Sequence, residues 1–182
     1  MTDAEILAAL DDRQTLALTA WAEARRVPRD DDSHSPIEEL VAVMVVVRNR
    51  RARFTRWRAI DASYKAICLA PAQFSCWNPG ADSNHLALMA LARLLTSAIG
   101  ITALTSPIPV VEATTGPPTI DPLVRECLYL ADGVISGVLQ DRTNGATSYW
   151  APAAMIPPGR PPSWAFGCPR WTIGDQIFVN NS

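Results

Sequence analysis

Lysine is almost absent from this 182-residue chain: Lys65 stands alone beside 15 arginines. The two residues carry the same charge, so the imbalance reads first as a coding bias. Acidic and basic residues nearly cancel, 18 against 16, leaving a net charge of −2 and a pI of about 5.6. That balance excludes the broad basic field of a nucleic-acid-binding protein. Histidine occurs only at His34 and His85, and two isolated histidines do not make a metal site. The four cysteines, Cys68, Cys76, Cys127 and Cys168, match no zinc or CxxC spacing. They allow three pairings, among which spacing does not choose, and free buried thiols are the simpler reading. There is no GxSxG, GxGxxG, P-loop or zincin motif. No cofactor and no metal is therefore expected. No apolar stretch has the length of a membrane span, since Arg93 interrupts the most apolar region, 86–103. Residues 1–5 lack the basic and apolar parts of a signal peptide, so synthesis in the cytoplasm without a leader is expected. With no repeat and no linker, one domain over 1–182 is expected, its core over about 14–180.

What is present is mostly helical in pattern. Thr2-Asp3-Ala4-Glu5 is a capping box that starts a short helix to Leu10. A second helix is predicted from about Gln14 to Arg25, with Leu16, Ala17, Ala20, Trp21 and Ala24 as its buried stripe. Residues 28–34 read as an exposed acidic loop. Ser35-Pro36-Ile37-Glu38 restarts a helix, with Ser35 as cap and Pro36 at the first position. The run 40–47 is apolar on every side and predicts a central, buried helix. Arginines 48, 50, 51, 53, 56 and 58 follow and read as a solvated helix end. A short helix is expected within 59–68, another over 84–98, and a loop over 106–118. Asp121-Pro122 caps a further helix to about Leu139. Prolines 152, 157, 158, 161, 162 and 169 then exclude helix, while 147–150 and 176–180 suit a small sheet. The fold class is mainly α with a small β element.

One carboxylate stands out. Glu23 lies at the end of an apolar helical run, at the edge of its buried stripe. Such a glutamate is most often a solvated partner of a nearby arginine, here Arg26 or Arg29. Two features argue otherwise: the negative end of the helix dipole and the apolar neighbours Trp21, Ala22 and Ala24 both disfavour the charged form. A protonated carboxyl near neutral pH is what a glycosidic leaving group needs. The loop Gln73-Phe74-Ser75-Cys76-Trp77 offers two readings. Its aromatic rings anchor the loop to the core, or Gln73 and Ser75 bond a sugar on whose face Phe74 or Trp77 stacks. Tyr149, Trp150, Trp164 and Trp171 lie among prolines and glycines, and form a mini-core, a binding wall, or both.

Taken in order, Ala22-Glu23-Ala24-Arg25, Ala42-Val43 leading to Asn49-Arg50, Gln73-Phe74-Ser75-Cys76-Trp77, Gly145-Ala146-Thr147-Ser148-Tyr149, Pro162-Ser163-Trp164-Ala165 and Ile173-Gly174-Asp175-Gln176-Ile177-Phe178 resemble the SleB-like cell-wall hydrolases. That family holds spore-cortex-lytic enzymes and many phage lysins. The resemblance spans about residues 16–179. It implies a lysozyme-like domain without a separate wall-binding domain. It also implies cleavage of the N-acetylmuramic acid–β-1,4-N-acetylglucosamine bond of peptidoglycan, by lytic transglycosylation. The family's essential glutamate falls on Glu23, and Asn49, Gln73, Phe74, Ser75, Trp77, Thr147, Tyr149, Trp150 and Trp164 are the implied substrate-binding residues. The implied partner is the glycan strand, with no nucleic acid and no stable membrane insertion. A monomer is expected, reaching the periplasm after release through a holin, or carried in a virion. The chain departs from the family pattern in three places: Arg26-Val27 replace Gly-Glu, and Ser148 and Gln176 replace histidines. A hydrolytic muramidase would need a second carboxylate such as Asp61, Glu112 or Asp175 across the cleft, about 5–5.5 Å away for retention or about 6.5–9.5 Å for inversion. A non-catalytic wall-binding or tail protein would keep the aromatic wall and tolerate loss of Glu23.

Overall fold

The computed structural model describes residues 1–24, 36–58, 62–71, 73–79, 84–97, 120–155 and 157–181. Four helices begin where a side chain accepts from the exposed amides of the first turn. In α1 (Asp3–Ala9) the expected box is present: Thr2 Oγ1 accepts from the Glu5 amide and Glu5 Oε2 accepts from the Thr2 amide. A second, unforeseen box opens α2 (Asp12–Ala24). Asp11 Oδ1 accepts from the Gln14 amide at 2.7 Å, and Gln14 Oε1 from the Asp11 amide at 3.1 Å. The helix therefore starts two residues before the predicted Gln14. Ser63 caps α4 (Tyr64–Cys68), and Asp12 supports it by accepting from the Tyr64 and Lys65 amides. The lone lysine has a structural post: Lys65 Nζ donates to the Ala8 and Leu10 carbonyls at the end of α1.

The helical body surrounds α2, which packs against α3 (Pro36–Arg58), α4, α5 (His85–Leu95) and α6 (Pro122–Ile135). Burial covers every side of α2 from Thr15 to Ala22 rather than the predicted stripe alone. Its alanines let four helices approach closely. Its two buried threonines turn their hydroxyls back onto the carbonyls of Asp11 and Thr15, so neither hydroxyl is stranded. α3 is buried from Val43 to Val47, as the apolar run requires. It continues unbroken to Arg58.

Three arginines at that end correct the expectation of a solvated face, while Arg53 is exposed as expected. Arg48 Nη1 donates to Leu139 O, Arg50 Nε to Thr147 O and Arg51 Nε to Ala62 O. Carbonyls of three incoming segments draw these side chains inward. α6 stops at Ile135, four residues short of the predicted end, because the chain leaves through Gly137 in the left-handed region, φ +77°.

Residues beyond 140 form a three-stranded antiparallel sheet, order β1 (Ser148–Trp150), β3 (Gln176–Val179), β2 (Arg170–Ile173). The pairing of β1 with β3 was expected; β2 was not, because Pro169 directly precedes it. The proline ends outside the ladder, and β2 lies at an edge where the loss of a donor is tolerated. In this register Tyr149, Phe178, Trp171, Ile173 and Gln176 share one face. Phe178 on that face belongs to the main core, with Tyr149 and Ile173 packed against it. The other face carries Trp150, Val179 and Ile177, which close a small second core with Ala165, Met155 and Cys168. No helix among the described residues is long and apolar enough to cross a membrane. The predicted loops over 28–34 and 106–118, the Ser35 cap and the start of the helix within 59–68 lie outside the described residues.

Candidate functional site

Glu23 is the penultimate residue of α2 and is half-buried. The last carbonyls of a helix have no partner within it. Here two side chains from distant segments supply donors. Asn84 Nδ2 donates to Ala22 O at 3.2 Å, and Gln176 Nε2 donates to Glu23 O at 3.1 Å. A third segment holds the carboxylate itself: Tyr149 Oη donates to Glu23 Oε2 at 3.0 Å. The Glu23 side chain is thus oriented from β1 and its backbone from β3.

Tyr149 is placed by aromatic packing. Its ring lies 5.6 Å from Phe178 and 6.5 Å from Phe74, both tilted by 37°. Arg50 closes the cluster from α3. Its guanidinium carbon sits 4.9 Å from the Phe74 ring centre, and its Nε donates to Thr147 O at 2.6 Å. Desolvation lowers the guanidinium below its usual range, opposed by Tyr149, Cys68 and Glu23. Desolvation also pushes the Tyr149 phenol well above its usual value, reinforced by the charge and the hydrogen bond of Glu23. The phenol therefore remains a donor through the neutral range.

The loop containing Gln73 to Trp77 sits against this cluster, and the structure decides between its two readings. Phe74, Cys76 and Trp77 are buried. Trp77 Nε1 donates to Thr19 Oγ1 at 2.9 Å, one turn before Glu23. The Cys76 carbonyl accepts from His85 Nδ1 at 2.9 Å, which fixes the proton on that nitrogen. The two rings thus anchor the loop, and neither face is offered to a sugar. Gln73 is half-buried and Ser75 exposed, on either side of Phe74.

The other predicted substrate contacts divide in the same way. Asn49 Nδ2 donates to Asp141 Oδ2 and to Ala146 O, both at 3.0 Å, so it braces the 141–147 loop. Thr147 is buried, with Oγ1 on Asn181 Oδ1. Trp150 and Trp164 meet edge to face at 5.8 Å, on the sheet face opposite Tyr149. They build the second core and do not join Glu23. Trp164 is 45% exposed, so the mini-core reading holds for Trp150 and a surface remains on its neighbour.

Gln176 and Asn84 were not foreseen as partners of the last carbonyls of α2, nor Arg50 as a member of the cluster around Tyr149. Arg50 was hidden in the arginine run, although its place beside Asn49 in a motif was a signal. Gln176 stood out only as a replaced histidine. Asp175 is exposed in the β2–β3 turn, and Asp61 and Glu112 lie outside the described residues. A further carboxylate, Glu39, is buried on α3 against Gly174 of that turn.

A groove of about 390 Å³ runs along the outer flank of α3, lined by Val41, Val45, Leu139 and Ile173 with Glu38 and Arg142 at its rim. Glu23 and the loop containing Gln73 are not part of its wall. Among the described residues, no group of three or more His, Cys, Asp or Glu side chains is arranged to hold a metal ion. No protein-family model, curated protein sequence or solved structure matches the chain.

Proposed function

We propose that this protein is a peptidoglycan-cleaving enzyme of the SleB-like type, with a lysozyme-like catalytic domain in which Glu23 is the acid and base of a lytic transglycosylation. The observation that carries this reading is the hydrogen bond from Tyr149 to Glu23. It joins two of the motifs on which the resemblance rests, across 126 positions of sequence. Phe74, from a third motif, packs on the same tyrosine.

In this reaction the Glu23 carboxyl gives its proton to the bridging glycosidic oxygen as the C1–O bond breaks. The resulting carboxylate then takes the proton of the muramic C6 hydroxyl while that oxygen bonds to C1. A 1,6-anhydro end forms, no water is consumed, and Glu23 is restored for the next cycle. No second carboxylate is required. Gln73, half-buried, and Ser75, exposed, are the polar groups we assign to the glycan. Its glycan substrate implies action in the periplasm, after release of a monomer or delivery by a virion.

Glu23→Gln keeps the shape of the side chain and removes the proton. Clearing of purified sacculi should fall about 10²–10⁴-fold while sedimentation with sacculi persists. Wild-type clearing by this variant would end the proposal. Mass spectrometry of the released muropeptides identifies the chemistry: anhydro ends for transglycosylation, reducing ends for hydrolysis.

A further inference from the structure

Arg50 is an unusual arginine. It points inward from α3 and uses Nε on the Thr147 carbonyl, while its Nη1 atom is covered and meets no hydrogen-bond acceptor. No carboxylate forms a salt bridge with it among the described ion pairs. A buried, unpaired cation is costly unless a negative charge lies within its field. Two acidic groups facing the cluster are Glu23 and the Tyr149 phenol, and the phenol is neutral.

We propose that Arg50 is a positioning residue for the Glu23 carboxylate, which from behind Tyr149 and Phe74 supplies the fixed positive charge that stabilises the anion left when Glu23 gives up its proton. The geometry assigns three tasks to one side chain. Its Nε holds the carbonyl two residues before Tyr149, setting where the phenol points. Its guanidinium lies on Phe74, setting the height of the Gln73–Ser75 loop. Its charge, shielded from solvent at Nη1, acts on Glu23 without touching the glycan. The proton given to the glycosidic oxygen leaves one negative charge on Glu23, and Arg50 meets it with no reorganisation.

Among the described residues, the charged and titratable groups facing this pair are Glu23 and Asp12 on α2, Cys68 on α4, Cys76 in the short turn Ser75–Trp77, and Tyr149 on β1. Burial raises the Cys68 thiol to about 12, so it stays neutral near pH 7, and Asp12 is engaged with the Tyr64 and Lys65 amides. Among the described residues, Glu23 is the carboxylate whose charge bears on Arg50.

The proposal rests on the acid–base reading of Glu23, but its test uses no substrate. The ¹³C carboxyl resonance of Glu23, assigned by its loss in Glu23→Gln, is followed against pH in the wild type, Arg50→Gln and Arg50→Lys. The glutamine keeps a donor for Thr147 O and loses the charge. Its Glu23 midpoint should rise by about one pH unit or more, and the lysine should restore most of the difference. A merely structural Arg50 would lower the melting temperature and leave the midpoint in place, and an unmoved midpoint in folded Arg50→Gln overturns the proposal.

Should that variant not fold, the wild type and Glu23→Gln decide alone. An anion that answers a buried cation makes the wild type the more stable of the two at any pH above the Glu23 midpoint, by about tenfold or more in the unfolding constant. The advantage should vanish once the carboxylate is protonated. A Glu23→Gln protein as stable as the wild type above that midpoint also overturns it. Failure to clear sacculi, with either of these results as expected, would remove the enzymatic reading and leave the Arg50–Glu23 coupling standing.

Discussion

Tyr149 and Glu23 meet through one oxygen each, and that contact can be removed with little else disturbed. Tyr149→Phe keeps the ring on Phe178 and Phe74 and deletes only the donor. A hydrogen bond to a charged acceptor is worth about 1.5–3 kcal/mol, so sacculus clearing should drop about 10- to 100-fold. The melting temperature should change by no more than a few degrees, because the ring packing survives. A clearing rate within twofold of wild type would show that the phenol does not orient the acid. At this scale the sequence was only partly legible. Glu23 was visible because an apolar helical run ends on a carboxylate, a placement that local pattern discloses. Tyr149 was visible as an aromatic beside a small sheet, but its role was not, since nothing local pairs positions 126 apart. Arg50 and Asn49 illustrate the same limit. A charged or polar side chain in a helix reads as solvated until the carbonyls that recruit it are known.

At the scale of elements, caps placed α1 and the start of α6, and the apolar run placed the buried stretch of α3, because both signals are short-range. Errors gathered where a distant segment intervenes. β2 was invisible because its identity as a strand depends on β3, and the end of α6 turns on one glycine.

The loop at 141–147 shows how much one such segment depends on a single carboxylate. Asp141 accepts from the Thr143 amide and hydroxyl, the Gly145 amide and Asn49 Nδ2. Partial desolvation pushes its carboxyl up, yet these hydrogen bonds outweigh that and hold it below the usual value. A depressed carboxyl stabilises the fold above the unfolded value near pH 4 and loses that contribution as the pH falls. Asp141→Ala should therefore cost about 2–4 kcal/mol at pH 7, measured by urea unfolding, and less at pH 3. Asn49→Ala should cost less, and the two losses should not add, since both break the same bond. Additive losses would show that Asn49 braces the loop through Ala146 alone.

For the molecule as a whole, mainly helical architecture with one small sheet was legible from composition and punctuation. The division into two cores was not. It depends on β3 presenting Phe178 to the helices and Val179 to the tryptophans, a property of register.

The thiols report on this packing. All four cysteines are free; Cys68, Cys76 and Cys127 are buried, and Cys168 is partly exposed at the second core. Under native conditions one thiol, Cys168, should react quickly with a disulfide reagent, and all four should react in denaturant. Burial raises Cys68 and Cys127 to about 12, against an ordinary thiol near 9. Both contribute fully below pH 9 and lose that contribution as the pH climbs toward 12, because the unfolded chain releases its protons first. The melting temperature should decline over that range, and Cys68→Ala with Cys127→Ala should flatten the decline. A slope unchanged by both substitutions would place the alkaline sensitivity elsewhere, with the Tyr149 phenol the next group to examine.

The clamp on the end of α2 also imposes an order in time. During synthesis Glu23 leaves the ribosome early, long before Asn84, Tyr149 and Gln176, the three side chains that hold it. A nascent chain carries the acid but not its setting. The setting that the proposed reaction needs is complete only once translation has passed residue 176.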